Sequence, residues 1–174
     1  MKSSFQTERL TAEGWHDAEF HAPSGGGLPE LLSEMLTPDV MAPLPADWHG
    51  AYSVERAREW IEARDAETLV LLVTVTRTQA SVGLVLLHES RDDGDGDSVL
   101  RLGYLIRQSE WGQGYATEVA RGVVDWARRR GHARILAGVA ADNVASVSVL
   151  EKAGFQPERG STEPAGELAY QIVL

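Results

Sequence analysis

The chain has 174 residues, 43% of them apolar, and its 26 acidic and 16 basic residues give a formal net charge of -10. This length suffices for a buried core, so we expect residues 1–174 to form a single domain. The absence of cysteine excludes disulfides, cysteine-ligated zinc and a thiol acyl-enzyme, and the negative charge opposes binding to a nucleic-acid backbone.

The first third of the chain predicts a strand, a helix and a proline-rich loop. Residues 5–12 are expected to form the strand. After the glycines at 25–27, helical spacing is shown by the apolar residues Leu28, Leu31, Leu32, Met35 and Leu36. Prolines then predict a loop over residues 41–50, and we expect its Trp48 and His49 to line a pocket and bind substrate.

The middle of the chain predicts a helix followed by a hairpin. Ser53 begins a helix that runs to about Arg64, with Ala57, Trp60 and Ile61 on its apolar stripe. Residues 68–75 and 81–88 are two apolar strands joined by a short turn, which predicts an antiparallel hairpin. The aspartates and glycines of residues 92–97 resemble part of a calcium loop, but no glutamate closes it, so we expect a solvated turn and no metal site.

The last part of the chain predicts a βαβ unit, a second helix and a closing strand. Residues 99–106 and 133–140 are expected to be parallel strands that flank a helix ending at Gly131. A further helix over residues 145–153 stops at Gly154, with Phe155 as a hydrophobic clamp. Residues 157–167 are polar and turn-rich, and residues 168–174 form the final strand.

A glycine turn joins the strand at 99–106 to the helix that follows it. Unpaired N–H groups and a partial positive charge at a helix N-terminus favour phosphate, and neighbouring glycines let it approach the backbone. A dinucleotide-binding turn would need glycine or alanine at position 117, where this chain has Thr117. A nucleotide-hydrolase loop would need Gly-Lys-Ser/Thr, which the chain lacks.

The segment Trp111-Gly112-Gln113-Gly114-Tyr115-Ala116 resembles the acyl-coenzyme A loop of the GNAT superfamily of N-acyltransferases, although Trp111 departs from the pattern at the first position. A second match is Asn143 to Phe155, which resembles Asn-x-x-Ser followed by Leu-Glu-Lys-x-Gly-Phe in the branch of the Rim-type ribosomal-protein acetyltransferases. Residues 7–10, 38–41 and 55–60 also resemble this branch, so the likeness covers nearly the whole chain.

The resemblance implies an α/β (α+β) GNAT fold, with a mixed, mostly antiparallel central sheet, a splayed parallel strand pair and flanking helices. It implies acetyl-CoA as co-substrate, without a metal, in a single acyl-CoA N-acyltransferase domain. The implied roles are backbone hydrogen bonds to pantetheine, N–H groups around the pyrophosphate, and polar side chains near the thioester. The cofactor-binding residues so implied are Leu105, Ile106, Trp111, Gly112, Gln113, Gly114, Tyr115, Ala116, Thr117, Asn143 and Ser146.

Asn143 and Ser146 are the catalytic residues that the resemblance implies. Ser146 would protonate the departing thiolate, or else hydrogen-bond within the first helical turn. Asn143 would face the pantetheine, and its position also suits a helix N-cap. Two departures from the family stand beside them: Arg101 occupies the place of a common glutamate, and Leu150 that of a common tyrosine.

The residue that removes the proton of the amine is left open by these departures. Glu110, Glu163 and Glu167 are candidates by residue type, and His49 has the unperturbed pKa best suited to the task. With no cysteine available, we expect direct attack by the amine in a sequential complex.

The expected function is transfer of an acetyl group from acetyl-CoA to a primary amine of a protein N-terminus or a small molecule. The alternative is a non-catalytic CoA-binding sensor or interaction protein, which Arg101 and Leu150 motivate. No run of about 18 apolar residues and no signal-peptide core occurs, so we expect no membrane association and a cytoplasmic location. An exposed terminal strand or hairpin would allow two subunits to pair as a homodimer.

Overall fold

The computed structural model describes residues 3–23, 25–91, 96, 98–158 and 166–174. The predicted turn at residues 92–97, apart from its residue 96, and the candidate Glu163 lie outside these ranges. Within them the strands are β1 (Ser4–Gln6), β2 (Leu10–Gly14), β3 (Leu69–Val75), β4 (Ser81–Arg91), β5 (Ser98–Ile106), β6 (Arg134–Ala140), β7 (Gln156–Pro157) and β8 (Glu167–Val173). The helices are α1 (Leu28–Met35), α2 (Pro38–Met41), α3 (Val54–Glu67), α4 (Tyr115–Arg130) and α5 (Val144–Lys152).

The described strands form one sheet in the order β1-β2-β3-β4-β5-β6-β8-β7. Every neighbouring pair is antiparallel except β5 and β6, which are parallel and are joined through α4. This confirms the predicted mixed, mostly antiparallel sheet with flanking helices, and it confirms the hairpin, whose strands are β3 and β4. No helix in the described ranges is both long and apolar enough to cross a bilayer.

The parallel strands β5 and β6 separate part of the way along their length. β5 pairs with β4 from Ser98 to Ile106, whereas its described pairing with β6 covers only Val99, Leu100 and Arg101. β6 continues to Ala140, but there it pairs with β8 on its other side. Beyond Arg101 the two strands therefore leave an open edge between them, which is the predicted splayed pair.

Two apolar cores lie on opposite faces of the sheet. One contains the buried stripe of α4, including Val119 and Val123, packed against β1, β2, β5 and β6. The other contains α1, α2 and α3 with Trp60 at its centre. Because side chains alternate along a strand, β5 supplies Leu102 to the first core and Leu105 to the second.

Three sequence expectations need correction. The single strand predicted over residues 5–12 is two strands, because the Thr7 hydroxyl accepts a hydrogen bond from the Leu10 backbone N–H at 3.1 Å and closes a turn between them. The loop predicted over residues 41–50 contains the end of α2, which Thr37 caps, and a 3-10 turn over Ala46–Trp48. The first residue of the region predicted as polar turns, Pro157, belongs to β7, a short outer strand beside β8.

Candidate active site

A cleft of about 740 Å³ opens beside the separated strands, between the start of α4 and one face of α5. Its volume lies within the range typical of small-molecule sites. Ten of the sequence-predicted cofactor residues line it: Leu105, Ile106, Trp111, Gly112, Gly114, Tyr115, Ala116, Thr117, Asn143 and Ser146. Gln113 is not among the described lining residues, and its carbonyl instead accepts a hydrogen bond from Arg9 Nη1 at 3.1 Å.

A narrow extension of about 80 Å³ adjoins the cleft in the gap between β5 and β6. Gly103 of β5 and Gly138 of β6 line its two sides. Pro43 and Leu44, from the segment after α2, line both the extension and the cleft. Three further residues line both the extension and the cleft, and so mark the junction between them: Tyr104 of β5, and Asn143 and Ser146 at the start of α5.

The backbone of β5 presents alternate residues to the cleft. Arg107 N–H donates to the Val82 carbonyl beyond the end of β4, at 2.8 Å, so odd-numbered residues here face β4. The Ile106 carbonyl faces the other way and accepts from the Trp111 indole at 2.8 Å. By the same alternation, the N–H and C=O of Tyr104 face the open edge, while those of Leu105 face Leu84 of β4.

The glycine turn before α4 holds the start of the helix open to the cleft. Gly112 and Gly114 have φ of 75° and 79°, a left-handed conformation that glycine adopts without strain. The first bond of α4 runs from Glu118 N–H to the Gly114 carbonyl, at 3.1 Å. The preceding N–H groups, of residues 115–117, have no acceptor inside the helix and form an anion-binding end.

Asn143 and Ser146 meet at the start of α5. The Asn143 side-chain oxygen accepts from the Ser146 N–H at 3.1 Å and caps the helix. Asn143 therefore fills the predicted N-cap position and also lines the cleft. Ser146 lies one helical turn in, where its residue reaches the junction between the cleft and its extension.

Tyr104 is a candidate that the sequence reasoning did not single out. Its phenol donates to the Ser146 carbonyl at 3.4 Å, so a second hydroxyl lies at the junction. Burial raises the pKa of Tyr104 above its ordinary value of 10, and an opposing effect of the Ser146 side chain is smaller. The sequence feature that could have identified Tyr104 is its position on β5, because it lies two residues before Ile106 and therefore on the same side of the strand.

Trp48 and His49 do not come to the cleft among the described residues. The Trp48 ring packs edge-on against Trp60, with ring centroids 5.6 Å apart. The guanidinium carbon of Arg64 lies 4.4 Å from the centroid of the Trp48 ring. His49 Nε2 donates to the Leu44 carbonyl at 2.7 Å. An aromatic ring gains more from burial in the α1–α3 core than from exposure, so the segment presents Pro43 and Leu44 to the cleft instead.

The carboxylates proposed as proton acceptors have different positions. Glu110 lines the cleft. Glu167 of β8 places its Oε2 3.7 Å from where a Cβ would stand on Gly138, beside the narrow extension. Arg101 is the last residue of β5 that pairs with β6, so the position of the family's glutamate lies where the strands begin to separate.

Charge in the cleft comes from both signs. Asp39, Glu110 and Asp142 line it, and Lys152 supplies the cation among its described lining residues. The Gln108 amide donates to Asp39 at 2.7 Å. The residues described contain no cluster of three or more histidines or carboxylates able to hold a metal ion.

Comparison with known proteins identifies a family. The sequence model of the acetyltransferase (GNAT) domain matches residues 21–156. The structure is similar to that of an acetyltransferase (GNAT family) from Bacillus anthracis, with 21% identity, 98% of each chain covered and a TM-score of 0.75. It is also similar to the acetyltransferase from Agrobacterium tumefaciens str. C58, with 19% identity, 98% of this chain and 94% of that chain covered and a TM-score of 0.69.

A third similar structure contains coenzyme A. It is RimL, a ribosomal L7/L12 alpha-N-protein acetyltransferase, with 14% identity, 99% of this chain and 98% of that chain covered and a TM-score of 0.71. These structures share the fold, while the family is shown by the domain match over most of the chain. The chain belongs to the GNAT acetyltransferase family and is an acyl-CoA-dependent acetyltransferase.

Proposed function

We propose that this single-domain enzyme transfers an acetyl group from acetyl-CoA to a primary amine by direct attack in a sequential complex. The observation that carries the proposal is the cleft itself. An open strand edge, a helix N-terminus with free donors and two hydroxyl-bearing residues line one continuous space. A thioester with a long polar arm and a diphosphate needs these three kinds of group in this arrangement.

The cofactor is proposed to lie along the cleft from α4 to the gap between the strands. N–H groups of residues 112–117 would bind the diphosphate, and the outward backbone groups of Tyr104 and the N–H of Ile106 would bind the pantetheine arm. On α5, helical spacing puts Ala145, Ser148, Val149 and Lys152 on the face that lines the cleft. Lys152 then offers a cation to the phosphates.

The proposed reaction forms a C–N bond at the thioester carbonyl and breaks the C–S bond, and the departing thiolate takes a proton. Tyr104 is suited to supply it because a phenol is protonated at neutral pH, and burial raises its pKa further above the ordinary value of 10. Its hydrogen bond to the Ser146 carbonyl is long, at 3.4 Å, so little is lost when it donates to sulfur instead. Ser146 is the second proposed donor, and Asn143 holds its helical turn in place.

The proton of the amine is proposed to leave through a carboxylate. Glu110 lines the cleft, and Glu167 lies beside the extension, so both remain candidates that mutation can separate. Replacing each by glutamine and measuring acetyl transfer across pH distinguishes them. The base is the residue whose loss removes the acidic limb of the rate profile, and an unchanged profile eliminates a candidate.

The acceptor is proposed to be a protein N-terminus or a small cationic amine. Asp39 and Glu110 line the cleft and attract an ammonium group, and the net charge of -10 favours cationic partners in general. RimL, which shares the fold, is named for action on a protein α-amine. This likeness supports a protein N-terminus as the first acceptor to test.

The decisive experiment measures release of CoA thiol from acetyl-CoA with a panel of acceptors. The panel contains peptides with free N-termini, the same peptides N-terminally blocked but carrying a lysine, and small primary amines. We expect turnover with free amines and no covalent acetyl-enzyme by intact mass after mixing with acetyl-CoA alone. A stable acetyl-enzyme, or no turnover with any free amine, would overturn the proposal.

A further inference from the structure

The turn between β1 and β2 holds a carboxylate at the start of α4. Thr7 Oγ1 donates to Glu118 Oε1 at 2.6 Å, and the Arg9 backbone N–H donates to the same oxygen at 2.8 Å. Arg9 Nε donates to the other oxygen, Oε2, at 2.6 Å. The Glu118 side chain is 16% exposed, so this carboxylate is largely enclosed by groups from the other end of the sequence.

The guanidinium of Arg9 also covers the outer side of the glycine turn. Its Nη1 donates to the Gln113 carbonyl at 3.1 Å, and its central carbon lies 4.7 Å from the centroid of the Tyr115 ring. Its Nη2 lies 3.6 Å from where a Cβ would stand on Gly114. One side chain therefore contacts Gln113 and Tyr115 of the proposed diphosphate loop, lies beside the Gly114 between them, and also contacts Glu118.

The hydrogen bond to Gln113 fixes the direction of the next peptide N–H. In a trans peptide the C=O of one residue and the N–H of the next point in opposite directions. Because Arg9 holds the Gln113 carbonyl on the outer side, the Gly114 N–H points away from Arg9, and Gly114 lines the cleft. Arg9 thereby turns one donor of the loop towards the space proposed for the diphosphate.

The negative charge of Glu118 at the start of α4 is compensated by Arg9. A carboxylate in the first turn interacts favourably with the helix dipole, but it repels any phosphate bound at the same end of the helix. Burial raises the pKa of Glu118, but hydrogen bonds from Thr7 and Arg9 outweigh this and hold the pKa below its ordinary value, so the group is ionised at neutral pH. The guanidinium of Arg9, whose Nε lies 2.6 Å from Oε2 of Glu118, compensates this charge.

From these contacts we infer that Arg9 is a positioning residue for acetyl-CoA, which neutralises Glu118 and aims the loop N–H groups at the diphosphate. The inference rests on the proposed binding of the diphosphate at residues 112–117. It assigns the β1–β2 turn a role in cofactor affinity, although that turn does not line the cleft among the described residues.

The test compares four proteins: wild type, Arg9→Met, Glu118→Gln and the double variant. We expect Arg9→Met to raise the Kd for CoA about tenfold at low salt, and less at high salt, because it leaves an uncompensated carboxylate beside the phosphates. Glu118→Gln binds CoA at least as tightly as wild type. The double variant binds CoA more tightly than Arg9→Met alone, since the repelling charge is gone.

A ligand without phosphates supplies the second measurement. The kcat/KM for acetyl-pantetheine is expected to be the same in wild type and Arg9→Met, because this substrate never meets the repulsion. Arg9→Lys, which keeps the charge but loses the fork that reaches both Glu118 and Gln113, is expected to have an intermediate Kd for CoA. It also keeps the test sound if Arg9→Met folds poorly.

Arg58→Met is the control, because Arg58 of α3 also forms an ion pair with a glutamate of another helix, Glu30 of α1, at 3.5 Å. We expect this variant to leave the Kd for CoA unchanged. The inference is overturned if Arg9→Met binds CoA like wild type, or if the double variant is as weak as Arg9→Met. If wild type itself fails to bind CoA, or binds CoA no better than pantetheine, the proposed diphosphate site is overturned as well. These outcomes are distinct from one another.

Discussion

At the scale of single residues, the site depends on groups that local sequence places within reach and tertiary contacts then tune. Tyr104 and Ser146 belong to different elements, 42 positions apart, and meet only because α5 begins above the gap between β5 and β6. Asn143 caps the first turn of α5, so its amide and the Ser146 hydroxyl lie at the same end of one helix. The arrangement puts a partly buried phenol and an aliphatic hydroxyl beside the proposed thioester.

Replacing Tyr104 by phenylalanine tests the buried phenol. We expect kcat to fall about 10²-fold, with a KM for acetyl-CoA that changes little, because proton donation is lost while the ring remains. Ser146→Ala is expected to have the smaller effect. Steady-state kinetics with both substrates varied provide the measurement, and a larger loss in Ser146→Ala than in Tyr104→Phe would reverse the assignment.

The alkaline limb of the wild-type profile follows from the same burial. Because burial raises the pKa of Tyr104 above its ordinary value of 10, the phenol is lost as a donor only as pH rises through that raised value. We therefore expect kcat to show no phenol-dependent decrease near neutral pH. A decrease near pH 8 that disappears in Tyr104→Phe would contradict this.

Glu118 predicts a pH-dependent contribution to stability. Hydrogen bonds from Thr7 and Arg9, opposed by burial, hold its pKa below the ordinary 4.5, so the carboxylate stabilises the fold above that pH and loses its contribution as pH falls through the folded-state pKa. Glu118→Gln should cost about 1–2 kcal/mol at pH 7, and the difference should shrink below pH 4.5. Urea unfolding at several pH values measures it.

Glu62→Gln, on the exposed side of α3, is the control for that measurement and should change little at any pH. If the wild type and Glu118→Gln differ by the same free energy at pH 7 and at pH 3.5, the carboxylate charge is not what stabilises this turn. The contribution would then come from packing of the side chain alone.

At the scale of elements, α4 is joined closely to the edge of the sheet. Gly122 lies in the buried face of the helix, and a Cβ there would stand 2.5 Å from Phe5 Cε2 and 2.8 Å from Thr7 Cγ2. The missing side chain lets the helix rest directly on β1. That close approach brings the β1–β2 turn to Glu118, so the glycine supports the contact between Arg9 and the loop.

Gly122→Ala should therefore act against the usual rule for helices. Alanine favours an exposed helix interior by about 1 kcal/mol over glycine, but here we expect a net destabilisation of about 1–3 kcal/mol from overpacking against Phe5. The Kd for CoA should also rise, because β1 is displaced together with Thr7 and Arg9. Arg129→Ala, on the exposed face of α4, is the control and should keep both quantities.

Chemical denaturation and CoA titration of the same samples provide both readings. A Gly122→Ala protein that is more stable than wild type would show that the helix has room to move away from β1. A destabilised variant with unchanged CoA affinity would separate packing of α4 from the geometry of the loop.

At the scale of the whole molecule, β5 connects the two cores to the cleft. It pairs with β4 along its length, with β6 at its start, and supplies buried residues to both faces of the sheet. Loss of either core would remove the support of the open edge. Among the described strands β1 and β7 form the outer edges of the sheet, and pairing of two subunits as a homodimer stays a prediction.

The shared sheet predicts a single unfolding transition that CoA shifts upwards. Trp15 and Trp60 report on one core and Trp126 on the other, so fluorescence and far-ultraviolet circular dichroism should give the same Tm. A ligand at 100 times its Kd should add about 2.7 kcal/mol of stability. Two separate transitions, or a Tm unaffected by saturating CoA, would contradict the expectation.

Some of this organisation could be predicted from the sequence and some could not. Strand, glycine turn and helix follow one another over residues 98–131 with strong local signals, and both helix ends lie at glycines with left-handed φ. The turn at Thr7 was missed because one hydroxyl hydrogen bond interrupts an otherwise strand-like run. Trp48 was expected in the pocket, but its packing depends on Trp60 and Arg64, which a local pattern does not reveal.

The sequence by itself determined the anion-binding turn, the order of the longer strands and helices, and the resemblance that indicated an acyl-CoA enzyme. These features depend on glycine conformations, caps and apolar spacing within a few residues. Only the tertiary structure decided which groups of β5 face the cleft, that Tyr104 meets Ser146, and that Arg9 reaches Glu118 across 109 positions. The reason is physical: strand register and the separation of β5 from β6 are set by pairing with distant segments, and no local interaction specifies them.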